Sequence, residues 1–402
     1  MQHPSLPLNP GLARLTDYPF DRLRSLLDGV SPPDNMDPLT LSIGEPKHSP
    51  PDTITDTLNA NKDLWGRYPP IDGTPELRAA IAGWMQRRFN LPDDAIDADA
   101  QILPVIGTRE ALFMAALLAV ADDDATVLFP NPMYHVYAGA AALAGAEAVA
   151  LEATAANGFL PDLEAIDEQI LSRCALMYLC TPSNPEGAVA SKSYISRAID
   201  LARTHRFVLA MDECYSEIYD REPPAGAAEV CSEDGGNFDN VLIFQSLSKR
   251  SSAPGLRSGF VAGDASLIAR FRLFRNYGAA TMPLPIMAAS TALWSDDAHV
   301  AENRALYQAK FDLAERLLGT RFGFKRPAGG FFLWLDVSEY GGGEVVAKRL
   351  WAEAALRVLP GAFLSRVAED GTSPGDDFIR LALVHSPDVT EDALNRVLKV
   401  LR

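Results

Sequence analysis

Ser246-Leu247-Ser248-Lys249 is followed eight residues later by Arg257, in SLSKRSSAPGLRSGF. The segment comes directly after VLIFQ (241–245), an apolar run of the kind that forms a buried strand. A lysine amine in a partly desolvated pocket can condense with a carbonyl carbon to give a Schiff base. The hydroxyls of Ser246 and Ser248 can hold a phosphate, and the guanidinium of Arg257 can grip one bidentately. Pro254-Gly255 supplies a turn that can bring Arg257 back toward Lys249. A single lysine is ordinarily a solvated surface charge. Ser-x-Ser-Lys placed straight after a buried strand, with arginine at +8, argues against that here.

Two further strand ends carry chemistry. Asp212 closes FVLAMD (207–212), where a carboxylate can accept the N–H of a protonated heterocycle, and Tyr215 puts a phenol three residues on. Read alone, they are a solvated acid and a packed ring. Gly107-Thr108-Arg109 follows QILPVI (101–106). A glycine turn into a helix offers free backbone N–H groups and a positive dipole end, which suits a phosphate. Read alone, it is an ordinary strand-to-helix turn with Thr108 as N-cap.

Open α/β sheets bind ligands beyond the carboxyl ends of their strands, so the elements that position these residues matter. Strands are predicted at 101–106, 126–129, 147–151, 175–180, 207–212, 241–245 and 259–262. Between them lie predicted helices from Thr108 to about 120, at 135–145, at 162–171 and at 191–204. Apolar runs alternating with helices indicate an α/β fold with a mostly parallel sheet covered on both faces. Residues 1–40 read as an arm with one helix at 19–29, closed by Gly29 and the Pro32-Pro33 stop. Residues 285–318 read as two helices broken near Ser295-Asp296-Asp297. After Gly319 the pattern becomes α+β: a strand at 331–337, a helix at 343–355, a strand at 378–384 and a helix from 390.

The chain has 402 residues, with 36 Lys+Arg against 53 Asp+Glu and a net charge of −17. Nucleic-acid binding needs a basic footprint, so this balance argues against it. Four cysteines (Cys174, Cys180, Cys214, Cys231) form no C-x-x-C pair and no disulfide framework. The six histidines are scattered, and no metal site is expected. The N-terminal MQHPSLPLNPGLARL has no secretory pattern, and no apolar run reaches the roughly 20 residues of a membrane span. The expectation is a soluble, cytoplasmic protein.

The ordered set of motifs resembles the class I/II aminotransferases, pyridoxal-phosphate enzymes of fold type I, over nearly the whole chain. Lys249 with Ser246, Ser248 and Arg257 resembles the family's cofactor lysine segment. Asp212 and Tyr215 match the residues at the pyridine nitrogen and the O3′ oxygen. Gly107-Thr108-Arg109 matches the phosphate cradle, and Tyr134 in NPMYHVY the stacking aromatic. Asn184 in TPSNPEG and Arg380 in FIRLALV match the grip on the substrate α-carboxylate, with Gly44 in IGEP facing the substrate. Tyr68 in RYPPIDG resembles the tyrosine that reaches the partner subunit's cofactor phosphate, and 277–285 reads as another partner-facing segment. The resemblance thus implies a homodimer with shared sites. Glu186 is a departure, since the family more often has threonine there. ECYSEIY (213–219), SLSKRS (246–251) and PGLRSGFVAGD (254–264) further resemble the proteobacterial N-succinyldiaminopimelate aminotransferases.

The resemblance implies a large cofactor domain (46–295), a connecting helix (296–318) and a small C-terminal domain (319–402), with an N-terminal arm and part of the small domain in 1–45. It implies ping-pong transfer between amino-acid and 2-oxo-acid substrates, with 2-oxoglutarate as acceptor. Aspartate, aromatic or LL-diaminopimelate specificity stays open. So do a C–S β-lyase, which would release pyruvate and ammonia without an acceptor, and a non-enzymatic regulator, which would usually carry a basic DNA-binding segment. Lys47, Arg14, Arg67 and Arg250 are the cations considered for a distal substrate carboxylate.

Overall fold

A computed structural model describes residues 8–368 and 371–402; the first seven positions of the expected arm lie outside them. The strands are β1 (Leu39–Thr40), β2 (Ile102–Val105), β3 (Thr126–Asn131), β4 (Glu147–Glu152), β5 (Cys174–Cys180), β6 (Val208–Asp212), β7 (Val241–Ser246), β8 (Gly259–Gly263), β9 (Phe332–Asp336), β10 (Leu356–Arg357), β11 (Leu359–Pro360) and β12 (Phe378–Ala382).

Seven of them form one sheet in the order β2-β8-β7-β6-β5-β3-β4. Only β8 runs against its neighbours β2 and β7; the other pairs are parallel. Because β8 reverses twice, β2 points the same way as β3 to β7. The carboxyl ends of β2, β3, β5, β6 and β7 therefore open along one edge, where Cys180 pairs with Asp212 and Asp212 with Phe244. Almost every position in β2, β3, β5, β6 and β7 is buried, as expected of a sheet covered on both faces. The helix Thr108–Ala119 lies across one face. Pro75–Phe89 and Leu284–Ser295 cover the other, with Trp84 and Trp294 packed at 4.8 Å between ring centroids.

A second sheet, β11-β12-β9, is antiparallel. It shares a separate core with the 21-residue helix Ala298–Leu318 and the helices Gly343–Ala354 and Pro387–Val400. The arm reaches this second unit twice. β1 pairs in parallel with β10, and Leu23 and Leu27 pack against Trp351 and Phe363.

Several local expectations need correction. The arm helix spans Pro19–Leu26, ending before Gly29. β3 runs through Pro130 to Asn131; its pairing with β5 stops at Leu128, so the proline sits where one side lacks a neighbour. The helix expected at 162–171 is two short pieces, Leu163–Ala165 and Glu168–Leu171. Asp162 and Asp167 each cap a new start, accepting from Glu164 N at 3.0 Å and Gln169 N at 2.7 Å. The N-cap of Thr108–Ala119 is Gly107, not Thr108. Pro75–Phe89, Ala265–Gly278 and Thr53–Ala60 are helices that the sequence reading did not place.

Candidate active site

The parallel strand ends and the second sheet enclose a cavity of about 420 Å³. Its lining includes Gly44, Thr108, Arg109, Tyr134, Asn184, Asp212, Tyr215, Ser246, Ser248, Lys249, Arg257 and Arg380. Of the cofactor, substrate and catalytic residues that the resemblance implies, only Gly107 and Tyr68 are absent from that wall; Glu186 and the four candidate distal cations also lie outside it. Gly107 lies just behind it, and Tyr68 is fully exposed elsewhere on the chain.

On the large-sheet side, Asp212 is buried at the end of β6. It accepts from the Tyr137 hydroxyl at 2.7 Å and from Cys214 N at 3.3 Å. Burial raises its affinity for a proton, and these hydrogen bonds oppose the rise. Ser246 caps the four-residue helix Leu247–Arg250 and bonds Ser248 Oγ at 2.9 Å. Lys249 Nζ donates to Gly44 O and lies 5.3 Å from the Phe331 ring centroid. Burial pulls its amine down to about 8, and the Arg380 charge pushes the same way.

Arg257 turns back as expected, in a left-handed backbone conformation with φ 56°. Its guanidinium lies over Gly107, where an added Cβ would sit 2.2 Å from Nη2. Gly107, with φ 81°, opens a 12-residue helix whose N-cap has no side-chain hydrogen bond. Its first N–H groups and Arg257 thus face one another. Thr108 Oγ1 bonds Cys214 Sγ at 3.2 Å. Arg109 Nε donates to the Tyr134 hydroxyl at 2.7 Å, so its side chain orients the aromatic ring.

On the other side, Arg380 extends from β12. It is buried, stacks 4.2 Å from the Phe332 ring and donates to Asn184 Oδ1 at 2.8 Å and Ser42 O at 2.6 Å. Its Nε has no partner among the described residues, and burial lowers its proton affinity to about 10. Gly44 fits against Phe332, which a Cβ would meet at 2.7 Å. Tyr215 packs edge-on to Phe331 and Phe332, and burial lifts its phenol. Glu186 keeps one carboxylate oxygen buried and unpartnered, while the other accepts from Ser183 Oγ at 2.9 Å.

Two of the four distal-carboxylate cations are already committed. Arg14 donates to Ala142 O and Ala146 O, at a helix end outside the cavity. Arg250 is buried between Trp84 and Trp294 and bonds Asp297 at 2.7 Å. Lys47 is exposed and pairs with Glu45; Arg67 is exposed and does not line the cavity. Sequence reasoning missed Tyr137, although NPMYHVY places it one helical turn after Tyr134. It also treated the cysteines only as buried thiols, whereas Cys180 and Cys214 line the cavity.

This donor set fits pyridoxal phosphate. Free helix N–H groups, serine hydroxyls and Arg257 suit a phosphate, Asp212 a protonated ring nitrogen, Lys249 an aldehyde carbon, and the unfilled donor of Arg380 a carboxylate.

Comparisons with known proteins agree. The profile of aminotransferase class I and II matches residues 36–397. A 4-dedimethylamino-4-oxo-anhydrotetracycline transaminase from Streptomyces rimosus is 33% identical over 92% of this chain and 96% of its own. An LL-diaminopimelate aminotransferase from Dehalococcoides mccartyi is 32% identical over 90% of both chains. Among solved structures, an aminotransferase from Neisseria meningitidis superposes with a TM-score of 0.93 at 41% identity, covering 98% of this chain and 100% of that one. The aminotransferase AspB from Helicobacter pylori gives 0.88 at 35%, covering 96% and 99%. Members of this family use pyridoxal phosphate. With its large-sheet strand ends, Lys249 and Arg380 on one cavity, and the family profile over residues 36–397, the chain belongs to the class I and II aminotransferases.

Proposed function

We propose that this aminotransferase takes its amino group from N-succinyl-L,L-2,6-diaminopimelate, with glutamate and 2-oxoglutarate as the other pair, in diaminopimelate and lysine biosynthesis. Transamination itself is carried by one observation: Asp212 at the end of β6, Lys249 in the short helix after β7 and Arg380 in the middle of β12 converge on one cavity. The substrate rests on the motif resemblance and on the diaminopimelate specificity in the names of several relatives. Those names specify the unacylated LL-diaminopimelate, which is therefore the second reading.

Pyridoxal phosphate, when bound, supplies an electron sink for the charge left at the substrate Cα. Gly107, Thr108 and Arg109, through the helix N-terminus, would hold its phosphate together with Ser246, Ser248 and Arg257. Tyr134 would pack on the ring. Asp212 would keep the ring nitrogen protonated, and Tyr137 holds that carboxylate in place. Tyr215 would donate to the O3′ oxygen. Arg380 and Asn184 would grip the α-carboxylate beside Gly44. Lys249 would serve as the base that removes the substrate Cα proton and as the acid that returns it; its lowered proton affinity suits a base near neutral pH.

Tyr68 is wholly exposed, and Tyr277 and Trp65 are also exposed. These support a homodimer in which Tyr68 completes the partner's phosphate site. The division into 1–45, 46–295, 296–318 and 319–402 belongs to the same proposal; the separate cores of the large and second sheets support splitting 46–295 from 319–402, with Leu41 and the helix Ala298–Leu318 packed in the second. No helix among the described residues is long and apolar enough to cross a membrane, and a cytoplasmic location belongs to the same proposal.

A screen of donors with 2-oxoglutarate tests the substrate. Succinyl-diaminopimelate should far exceed LL-diaminopimelate, aspartate, tyrosine and acetylornithine in kcat/KM. Preference for the free diamine would select the second reading, and preference for another donor would exclude both.

A further inference from the structure

We infer that Lys310, acting through His48 and Asn303, is a positioning residue that fixes the turn carrying Lys249 against the strand carrying Arg380. The inference rests on Lys249 being the reacting lysine.

Lys310 sits on the helix Ala298–Leu318 and is completely buried, with no carboxylate among the described residues paired to it. Its Nζ bonds His48 Nε2 at 2.8 Å and Leu383 O at 2.6 Å, and lies 4.3 Å from the Tyr307 ring centroid. A lysine this deep without an acid is costly, so its donors must be needed where they point.

The direction of the chain of bonds follows from its far end. The carbonyls of Lys249 and Arg250 can only accept, and they lie at the end of the short helix Leu247–Arg250, where ladder partners run out. Asn303 Nδ2 donates to both, at 3.1 and 3.2 Å. Its Oδ1 must then face the other way, where it accepts from Ser252 Oγ at 2.9 Å and meets His48 Nδ1 at 3.0 Å. His48 Nδ1 must therefore carry the hydrogen. Burial and the nearby Lys310 charge disfavour a second proton on the ring, so Nε2 is an acceptor. Only a donor can stand opposite it, and Lys310 is that donor.

The same lysine touches the other side of the site. Leu383 lies three residues beyond Arg380, just past β12. The loop from Gly44 to His48 is tied there too, through Lys47 N to Val384 O at 3.1 Å. Tyr307, beneath Lys310, stacks on Phe331 at 5.3 Å, and Phe331 faces Lys249 Nζ. One buried lysine amine, which donates whether or not it is charged, thus sets the polarity of a path that ends on the backbone of Lys249 and braces the strand of Arg380.

The test is a double-mutant cycle on the holoenzyme with Lys310→Met and Asn303→Asp. Each single variant should lower kcat about 10-fold while KM stays within about two-fold, because misplacement of the reacting group acts on the chemical step. The double variant should lose no more than the worse single, since both cut one path. With the cofactor removed, acylation of Lys249 by acetic anhydride, followed by mass spectrometry, should change at least about three-fold in each variant as its amine is repositioned. Thermal unfolding checks that each variant is folded; if Lys310→Met is not, Asn303→Asp alone must show the kcat loss and the labelling change. Additive losses, an effect confined to KM, or unchanged labelling would overturn the inference. Full turnover by Lys249→Ala would instead remove the reading on which it rests.

Discussion

The two walls of the cavity are built differently. The cofactor wall comes from consecutive strand ends of one sheet, and its groups hold one another: Tyr137 on Asp212, Ser246 on Ser248, Arg257 over Gly107. The substrate wall is gathered from distant segments, with Arg380 joined to Asn184 and to Ser42 across 196 and 338 residues. The first wall is a property of the sheet. The second exists only when two cores and the arm are correctly docked. Chemistry common to a family belongs on the first, and selectivity can be altered on the second without disturbing it.

The sharpest way to break this contrast is Lys249→Ala. Loss of the proton-transferring amine should reduce kcat by roughly 10⁴-fold or more, checked by steady-state turnover. Substantial residual activity would mean that the cofactor wall does not hold the reacting base. Arg380→Lys should act on the other wall, raising KM about 10- to 100-fold with a much smaller change in kcat, because a point charge replaces a fork of charged hydrogen bonds. A loss in kcat with KM unchanged would erase the distinction between the walls. The smallest effect concerns Glu186, whose carboxyl burial pushes up to about 8. Below that pH it is neutral. Above it, an anion near Arg380 opposes the incoming carboxylate, so KM should rise about three-fold between pH 7 and 9. Glu186→Gln, neutral throughout, should flatten that rise; an identical pH profile would take Glu186 out of substrate binding.

The same contrast explains what could be read from sequence. Lys249, Asp212 and Gly107 each follow an apolar run, and a parallel sheet brings such run ends together whatever the intervening helices do. Arg380 and Asn184 have no such local mark, and family resemblance alone drew attention to them. Tyr137 went unread because a tyrosine on a small-residue helix face looks like packing. The short pieces at 163–171 were read as one helix because the Asp167 carboxylate restarts the chain by accepting from Gln169 N, which no periodicity reports. Lys310 looks like a solvated helix charge until the fold encloses it.

The helix Ala298–Leu318 bears on motion. Its 21 residues span about 31 Å at 1.5 Å per residue. Asn303 fastens it to the turn of Lys249, and Lys310 fastens it beside the strand of Arg380. The two fastenings are seven residues apart, about 10 Å along the axis. Residues seven apart share one face of a helix, so a shaft pinned at two such points resists both sliding and rotation against either part. The amine and the guanidinium should therefore keep nearly the same spacing whether or not a ligand occupies the cavity.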